Sequence, residues 1–170
     1  MFRPRFNRRE VPAWASRYLI DSREKRIQNV IVPKVKEAGC IERASFLVVC
    51  KWKTPRSHKR CLMNPADFVR EVTRIALMTP NERLRVEILR VLDGVDWPTA
   101  SVILHWFHAD RYPILDFRAL WSLSTKVPSE YDFDFWWRYT KFCRKLASRC
   151  GVDMRTLDRA LWQYSKERQR

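Results

Sequence analysis

The residues with most chemistry to offer lie close together, between Leu89 and Leu123, in the run LRVLDGVDWPTASVILHWFHADRYPILDFRALWSL. Leu92-Asp93-Gly94-Val95 reads as a tight turn with glycine at its apex, followed by a helix opened by Trp97-Pro98. A turn of this kind exposes backbone N–H groups, and the helix behind it adds the positive end of its dipole. Together they suit a phosphodiester, which they would grip without reading bases. Twenty-odd residues on, Tyr112-Pro113-Ile114-Leu115 leads to Asp116, directly ahead of the apolar run from Phe117. A carboxylate there has two uses: it can stabilise developing positive charge and orient a nucleophile, or it can cap the helix that follows. Upstream, Lys51-Trp52-Lys53-Thr54-Pro55-Arg56 interleaves cations with an aromatic ring and contains no acid, a pattern suited to nucleic acid or to a solvated loop around a core tryptophan.

The spacing of the two motifs resembles the helix-hairpin-helix (HhH-GPD) DNA glycosylase superfamily, and most closely its adenine-glycosylase and endonuclease III branch. Family hairpins read approximately L-P-G-V-G-x-x-T-A, matched here by Leu92, Gly94, Val95, Thr99 and Ala100. The family's (F/Y)-P-(I/V)-x-D segment is matched by Tyr112, Pro113, Ile114, Leu115 and Asp116. The likeness is specific within Leu89–Leu123 and weaker elsewhere. It implies binding to double-stranded DNA, extrusion of a damaged or mispaired base, and hydrolysis of its N-glycosidic bond with Asp116 as catalytic carboxylate. It further implies DNA-backbone contacts from Leu92, Gly94, Val95, Asp96, Thr99 and Ala100, joined by Lys51, Lys53 and Arg56, with Trp52 and Thr54 as candidates to stack on or wedge beside the vacated base.

Departures from the pattern are informative. Pro98 stands immediately ahead of Thr99, where bifunctional members carry a Schiff-base lysine, so a monofunctional, water-using hydrolase is expected. Asp96 replaces the second hairpin glycine, bringing negative charge toward the phosphate or capping the next helix. Cys143 and Cys150 have the spacing of the first pair of the family's iron–sulfur ligands, but no further cysteine follows, so no cluster and no other cofactor is expected. The resemblance further implies a monovalent cation on hairpin backbone carbonyls, here those of Arg90, Leu92 and Val95, and no other metal. No glutamate falls in the 50–56 segment where adenine-specific relatives keep an acid, and the lesion is not specified.

The elements that must position these residues read as helices. One is expected over 22–38, ended by Gly39, and a buried one over 42–52. Asn64-Pro65 opens another, with Phe68, Val72, Ile75 and Ala76 as its inner stripe. Asn81 caps a helix through Leu92 that turns Leu84, Ile88, Val91 and Leu92 inward. The helix after the hairpin carries Ala100, Ile103, Leu104 and Phe107, Asp116 precedes one over 117–123, and two more cover 134–150 and 154–166. On the first of these two, Arg138, Lys141, Arg144, Lys145 and Arg149 form a basic face opposite inward Phe135, Phe142 and Leu146, a candidate second DNA contact. The expected architecture is all-α: a basic N-terminal arm over 1–21 and a compact multi-helix domain over 22–170.

Composition agrees. The 170 residues carry 34 Lys and Arg against 19 Asp and Glu, a formal charge of +15, with 8 Trp and 9 Phe. That balance points to a polyanionic partner. Only 3 Gly argue against all-β folds and glycine-rich nucleotide loops. Five scattered cysteines without a CxxC read as reduced thiols, and His105 and His108 as packing or surface residues rather than ligands. Trp106, Trp121, Trp136, Trp137 and Trp162 are assigned to the core. With no signal peptide and no apolar run of membrane-spanning length, a cytoplasmic monomer is expected, nucleoid-associated if prokaryotic. The alternatives are a non-catalytic helix-hairpin-helix module and an RNA-binding or scaffold protein.

Overall fold

The computed structural model describes residues 2–169, and every regular element among them is helical. The helices are α1 (Val11–Ser16), α2 (Ser22–Arg26), α3 (Val32–Ala38), α4 (Arg43–Lys53), α5 (His58–Cys61), α6 (Ala66–Met78), α7 (Glu82–Leu89), α8 (Trp97–Phe107), α9 (Phe117–Ser122), α10 (Phe133–Cys150) and α11 (Met154–Arg168). Helices α2 and α3 are joined by a π-helical stretch, Ile27–Ile31, so the expected 22–38 helix is continuous but widened. The widening falls just before Pro33, which has no N–H to give and whose ring would strike the preceding turn; the Val32 N–H reaches back to Ile27 O instead. Among the described residues no helix is long and apolar enough to cross a membrane.

The chain forms two compact units. One is Ile20–Asp110; the other joins the two ends of the chain, up to Leu19 and from Arg111. This differs from the expected division into an arm over 1–21 and a domain over 22–170, whose outermost residues Met1 and Arg170 lie outside the described residues.

In the Ile20–Asp110 unit, α8 is the central helix, packed by α3, α4 and α7. Trp97 and every residue from Thr99 to Leu104 are buried, as expected of a helix apolar on nearly all sides. The stripes on α6 and α7 are rotated from those expected. On α6 the buried residues are Val69, Val72, Thr73 and Ala76, while Phe68 and Ile75 are exposed. Thr73 sets that face: its hydroxyl accepts the Ile41 N–H (2.9 Å) and donates to Val69 O (2.7 Å), satisfying a backbone donor that burial would orphan. On α7, Arg85 lies inside with Val86 and Leu89, whereas Leu84 and Val91 are exposed and Ile88 is half-buried. The Arg85 guanidinium donates to Ala76 O (3.1 Å) and Thr79 O, carbonyls at the end of α6, and meets His108 Nε2. A cation closing a helix C-terminus repays its burial, and the apolar neighbours turn outward as a result.

In the other unit, α1 and α9 pack on α11, and α10 packs on α11 as well. The basic N-terminal stretch is therefore folded rather than a free arm. Phe2 packs among Phe135, Tyr139 and Phe142, with ring centroids 5.4–5.8 Å away. Arg3 N and Arg5 N donate to Leu123 O and Ser122 O, both at 2.9 Å. Phe6 lies 4.6 Å from Tyr164, and buried Trp14 meets the same ring edge-on. Of the five tryptophans assigned to the core, only Trp136 is fully buried; Trp106, Trp121, Trp137 and Trp162 are half-buried. On α10 the buried side is Trp136, Tyr139, Thr140, Cys143, Leu146 and Ala147, leaving Phe135 and Phe142 half-exposed. Phe2→Ala is expected to lower the stability of this unit by about 2 kcal/mol in urea unfolding followed by tryptophan fluorescence. A free arm would give no change.

Candidate functional site

The hairpin between α7 and α8 is held from beneath. Buried Asn64 donates through Nδ2 to Cys61 O (3.0 Å) and Asp93 O (2.9 Å), while its Oδ1 accepts the Asp93 N–H (2.8 Å). Rather than opening α6 as expected, Asn64 thus joins both backbone groups of a hairpin residue to the end of α5. Gly94 follows at φ +79, the left-handed region that favours glycine. A Cβ there would stand 2.7 Å from Cys61 Sγ and 2.9 Å from both Cys61 N and Ser57 O. Both conformation and space therefore require glycine.

Val95 N–H closes the turn on Leu92 O at 3.1 Å. The Asp96 carboxylate caps α8 by accepting the Trp97 N–H (2.8 Å), and Arg90 Nε stands 3.1 Å from the same oxygen. The Asp96 charge is thus answered by a cation, which also lies over the Trp97 ring at 4.7 Å. The side chains of Leu92, Val95, Thr99 and Ala100 are buried within the hairpin and the first turn of α8. The backbone N–H groups of Gly94 and Asp96 have no partner among the described residues.

These amides border a cleft of about 450 Å³, lined also by Thr54, Ser57, Arg60, Arg90 and Pro98 and by the predicted contact residues Val95 and Thr99. Thr54 is brought to the hairpin by a hydroxyl contact with Thr99 (3.4 Å), so part of the basic segment does meet the turn. Lys51 and Arg56 are exposed and Lys53 is half-buried. Trp52 turns elsewhere, edge-on to Trp106 at 6.0 Å. Under the cleft, Cys50 and Cys61 share a hydrogen bond; it draws the Cys61 thiol down to about 7, against the effect of burial and with help from Ser57, and pushes Cys50 up. Arg60 and Asn64, which the motifs did not single out, are part of this site. Arg60 was legible in the run KWKTPRSHKR, but Asn64 read only as a helix cap.

In the other unit, Asp116 is half-buried at the start of α9 and accepts the Arg118 N–H at 2.9 Å, the capping role foreseen for it. The segment before it is fixed by α10. Tyr139 Oη donates to Ile114 O (2.8 Å), Trp136 stacks on Tyr112 at 5.7 Å, and Arg144 donates to Arg111 O (2.8 Å) while lying 4.6 Å over the Tyr112 ring. Arg144 is thereby removed from the basic face expected for α10. Burial, followed by the nearby Cys143, Asp158 and Asp116, pushes the Tyr139 phenol well up, so it remains a proton donor to Ile114 O. Cys143 is buried and Cys150 half-buried, and among the described residues no three His, Cys, Asp or Glu side chains are placed to hold a metal ion.

No family model and no curated protein matches the chain. Among solved structures, the chain is similar to the 8-oxoguanine glycosylase/lyase of Methanocaldococcus jannaschii in complex with a 15mer DNA containing 8-oxoguanine. The two share 17% identity over 94% of this chain and 79% of that one, with a TM-score of 0.48. The crystal structure of Methanocaldococcus jannaschii 8-oxoguanine DNA glycosylase gives 18% identity over 94% and 76%, with the same TM-score.

Removing the support under the hairpin is expected to be costly. Asn64→Ala leaves the Asp93 N–H and carbonyl without their side-chain partner and should lower stability by about 2–3 kcal/mol. Gly94→Ala, strained and crowded, should cost about 2 kcal/mol or more. Unfolding free energies from urea titration within about 0.5 kcal/mol of the parent would contradict the account.

Proposed function

We propose that this chain is a monofunctional DNA glycosylase that grips duplex DNA at the hairpin and uses Asp116 in hydrolysing the N-glycosidic bond of a damaged or mispaired base. The observation that carries the reading is the pair of unpartnered amides at Gly94 and Asp96, bordering a cleft that also holds Arg60 and Arg90. Backbone donors at the start of an eleven-residue helix, with two guanidinium groups beside them, suit a phosphate oxygen. The motif resemblance supplies the rest of the reading.

The chemistry assigned to Asp116 follows from its charge. As the bond between sugar and base breaks, the electron pair leaves with the base and positive charge gathers on the sugar, where a carboxylate stabilises it. Water then forms the new bond to the sugar carbon, and the carboxylate takes its proton while the departing base gains one. Buttressing of residues 111–115 by α10 would keep the carboxylate in one position. A lyase step through a Schiff base is not part of the proposal, since Pro98 has no amine where the family lysine would stand.

A second reading, a DNA-binding module without chemistry, is favoured by the use of Asp116 as the α9 cap. Labelled duplexes carrying uracil, hypoxanthine, 8-oxoguanine, alkylated purines or mismatches separate the two. The glycosylase reading expects one base to be released by the parent and not by Asp116→Asn, with duplex affinity nearly unchanged. Equal release by the variant would remove Asp116 from the reaction; binding without release of any base would leave the module.

A further inference from the structure

We infer that the unit formed by the two chain ends carries a second nucleic-acid surface, a groove along α10 and the N-terminal segment that takes a single strand. It does not depend on the glycosylase reading, and it lies on the unit that does not contain the hairpin.

Three adjoining clefts make the groove. The first, of about 560 Å³, has Phe2, Phe135 and Phe142 along it, with Arg138, Lys141 and Lys145 beside them. The second, about 420 Å³, shares Phe142 and Lys145 and adds Arg3, Arg8 and Arg149. The third, about 640 Å³, shares Arg3 and Pro4 and adds Arg5 and Arg168 beside Trp121 and Tyr164. No acidic side chain lines any of the three. Among the described residues none of these cations is ion-paired, although the chain's other arginines are often matched with acids, as in Arg17–Glu167 and Arg83–Glu87.

Folding has thus gathered like charges without neutralising them, a cost that a polyanion would remove. The aromatic rings narrow the choice of polyanion. Phe135 and Phe142 are half-exposed on the groove side of α10, while their neighbours Trp136 and Tyr139 fill the interior. Arg5 lies 4.4 Å over Trp121, and its Nε donates to the Trp121 carbonyl at 2.6 Å, giving a flat cationic–aromatic platform at the far end. A duplex turns its phosphates outward and hides the faces of its bases, so it could use the charge but not the rings. A single strand offers both, with its backbone along the cations and its bases against the aromatic floor.

The test uses fluorescence anisotropy with the full chain and labelled oligothymidylate of about 16 nucleotides, the upper end of a single-domain site. The variant Lys141→Gln/Lys145→Gln/Arg149→Gln is compared with Lys25→Gln/Lys34→Gln/Lys36→Gln, which removes the same charge from exposed positions of the other unit. The groove variant is expected to bind roughly tenfold or more weakly, and its salt slope to fall by about 2, as for three lost phosphate contacts on a single strand. The control should change little, and an abasic deoxyribose-phosphate oligomer of equal length should bind the parent more weakly than oligothymidylate does. Equal losses in both variants, or equal affinity for the abasic oligomer, would overturn the inference. So would displacement of oligothymidylate from the parent by a matching duplex or by phosphatidylserine vesicles at lower concentration than unlabelled oligothymidylate requires.

Discussion

The hairpin is shaped by one side-chain amide doing the work of a backbone. Asn64 is buried and gives its carbonyl to the Asp93 N–H and its amide to Asp93 O and Cys61 O. A turn on a protein surface ordinarily leaves such groups to water, and water lets a turn move. With Asp93 fastened, Gly94 can press its bare Cα side against Cys61 and Ser57, and the next free donors fall at Gly94 and Asp96. The same anchoring sets where α8 begins, hence where its dipole and the Asp96 cap stand. A site of backbone amides can be only as well positioned as its backbone, and here that rests on residues outside the motif.

A comparable division of labour governs the segment ending in Asp116. Residues 112–115 are buried but belong to no helix or strand, so their backbone groups need partners from elsewhere. Helix α10 supplies one through Tyr139, which donates to Ile114 O, holds the neighbouring Arg111 O with Arg144, and covers the Tyr112 ring with Trp136. The face of α10 turned away from this work carries Arg138, Lys141, Lys145 and Arg149. One long helix therefore both fixes a carboxylate-bearing loop and presents unneutralised charge, which accounts for its three- and four-residue pattern of cations.

Much of this was legible in the sequence, and the errors share a cause. Every helix from α4 onward was foreseen near its observed bounds except the single turn α5, because apolar spacing, proline and capping residues such as Asn81 and Asp116 are local signals. The inward faces of α6 and α7 were misjudged because periodicity counts only apolar side chains. Thr73 and Arg85 were taken inside to satisfy backbone groups of other segments, and Phe68, Ile75, Leu84 and Val91 turned outward as a consequence. The N-terminal stretch, basic and acid-poor, read as an arm; its Phe2, Phe6 and Trp14 bind it to partners more than a hundred residues away, which no window of sequence reveals. Asn64 was missed for the same reason. Its second partner lies at Asp93, and its place just before Pro65 reads locally as a helix cap.

The central claim is that backbone amides of the hairpin meet a DNA phosphate, and amide proton–nitrogen NMR spectra of the labelled chain test it directly. On titration with duplex DNA, the Gly94 and Asp96 amide resonances should move farthest in their segment, and the shifts should fade as salt is raised. The already bonded Asp93 amide should move less. Resonances at Gly94 and Asp96 that stay fixed while the chain binds the duplex would contradict the account.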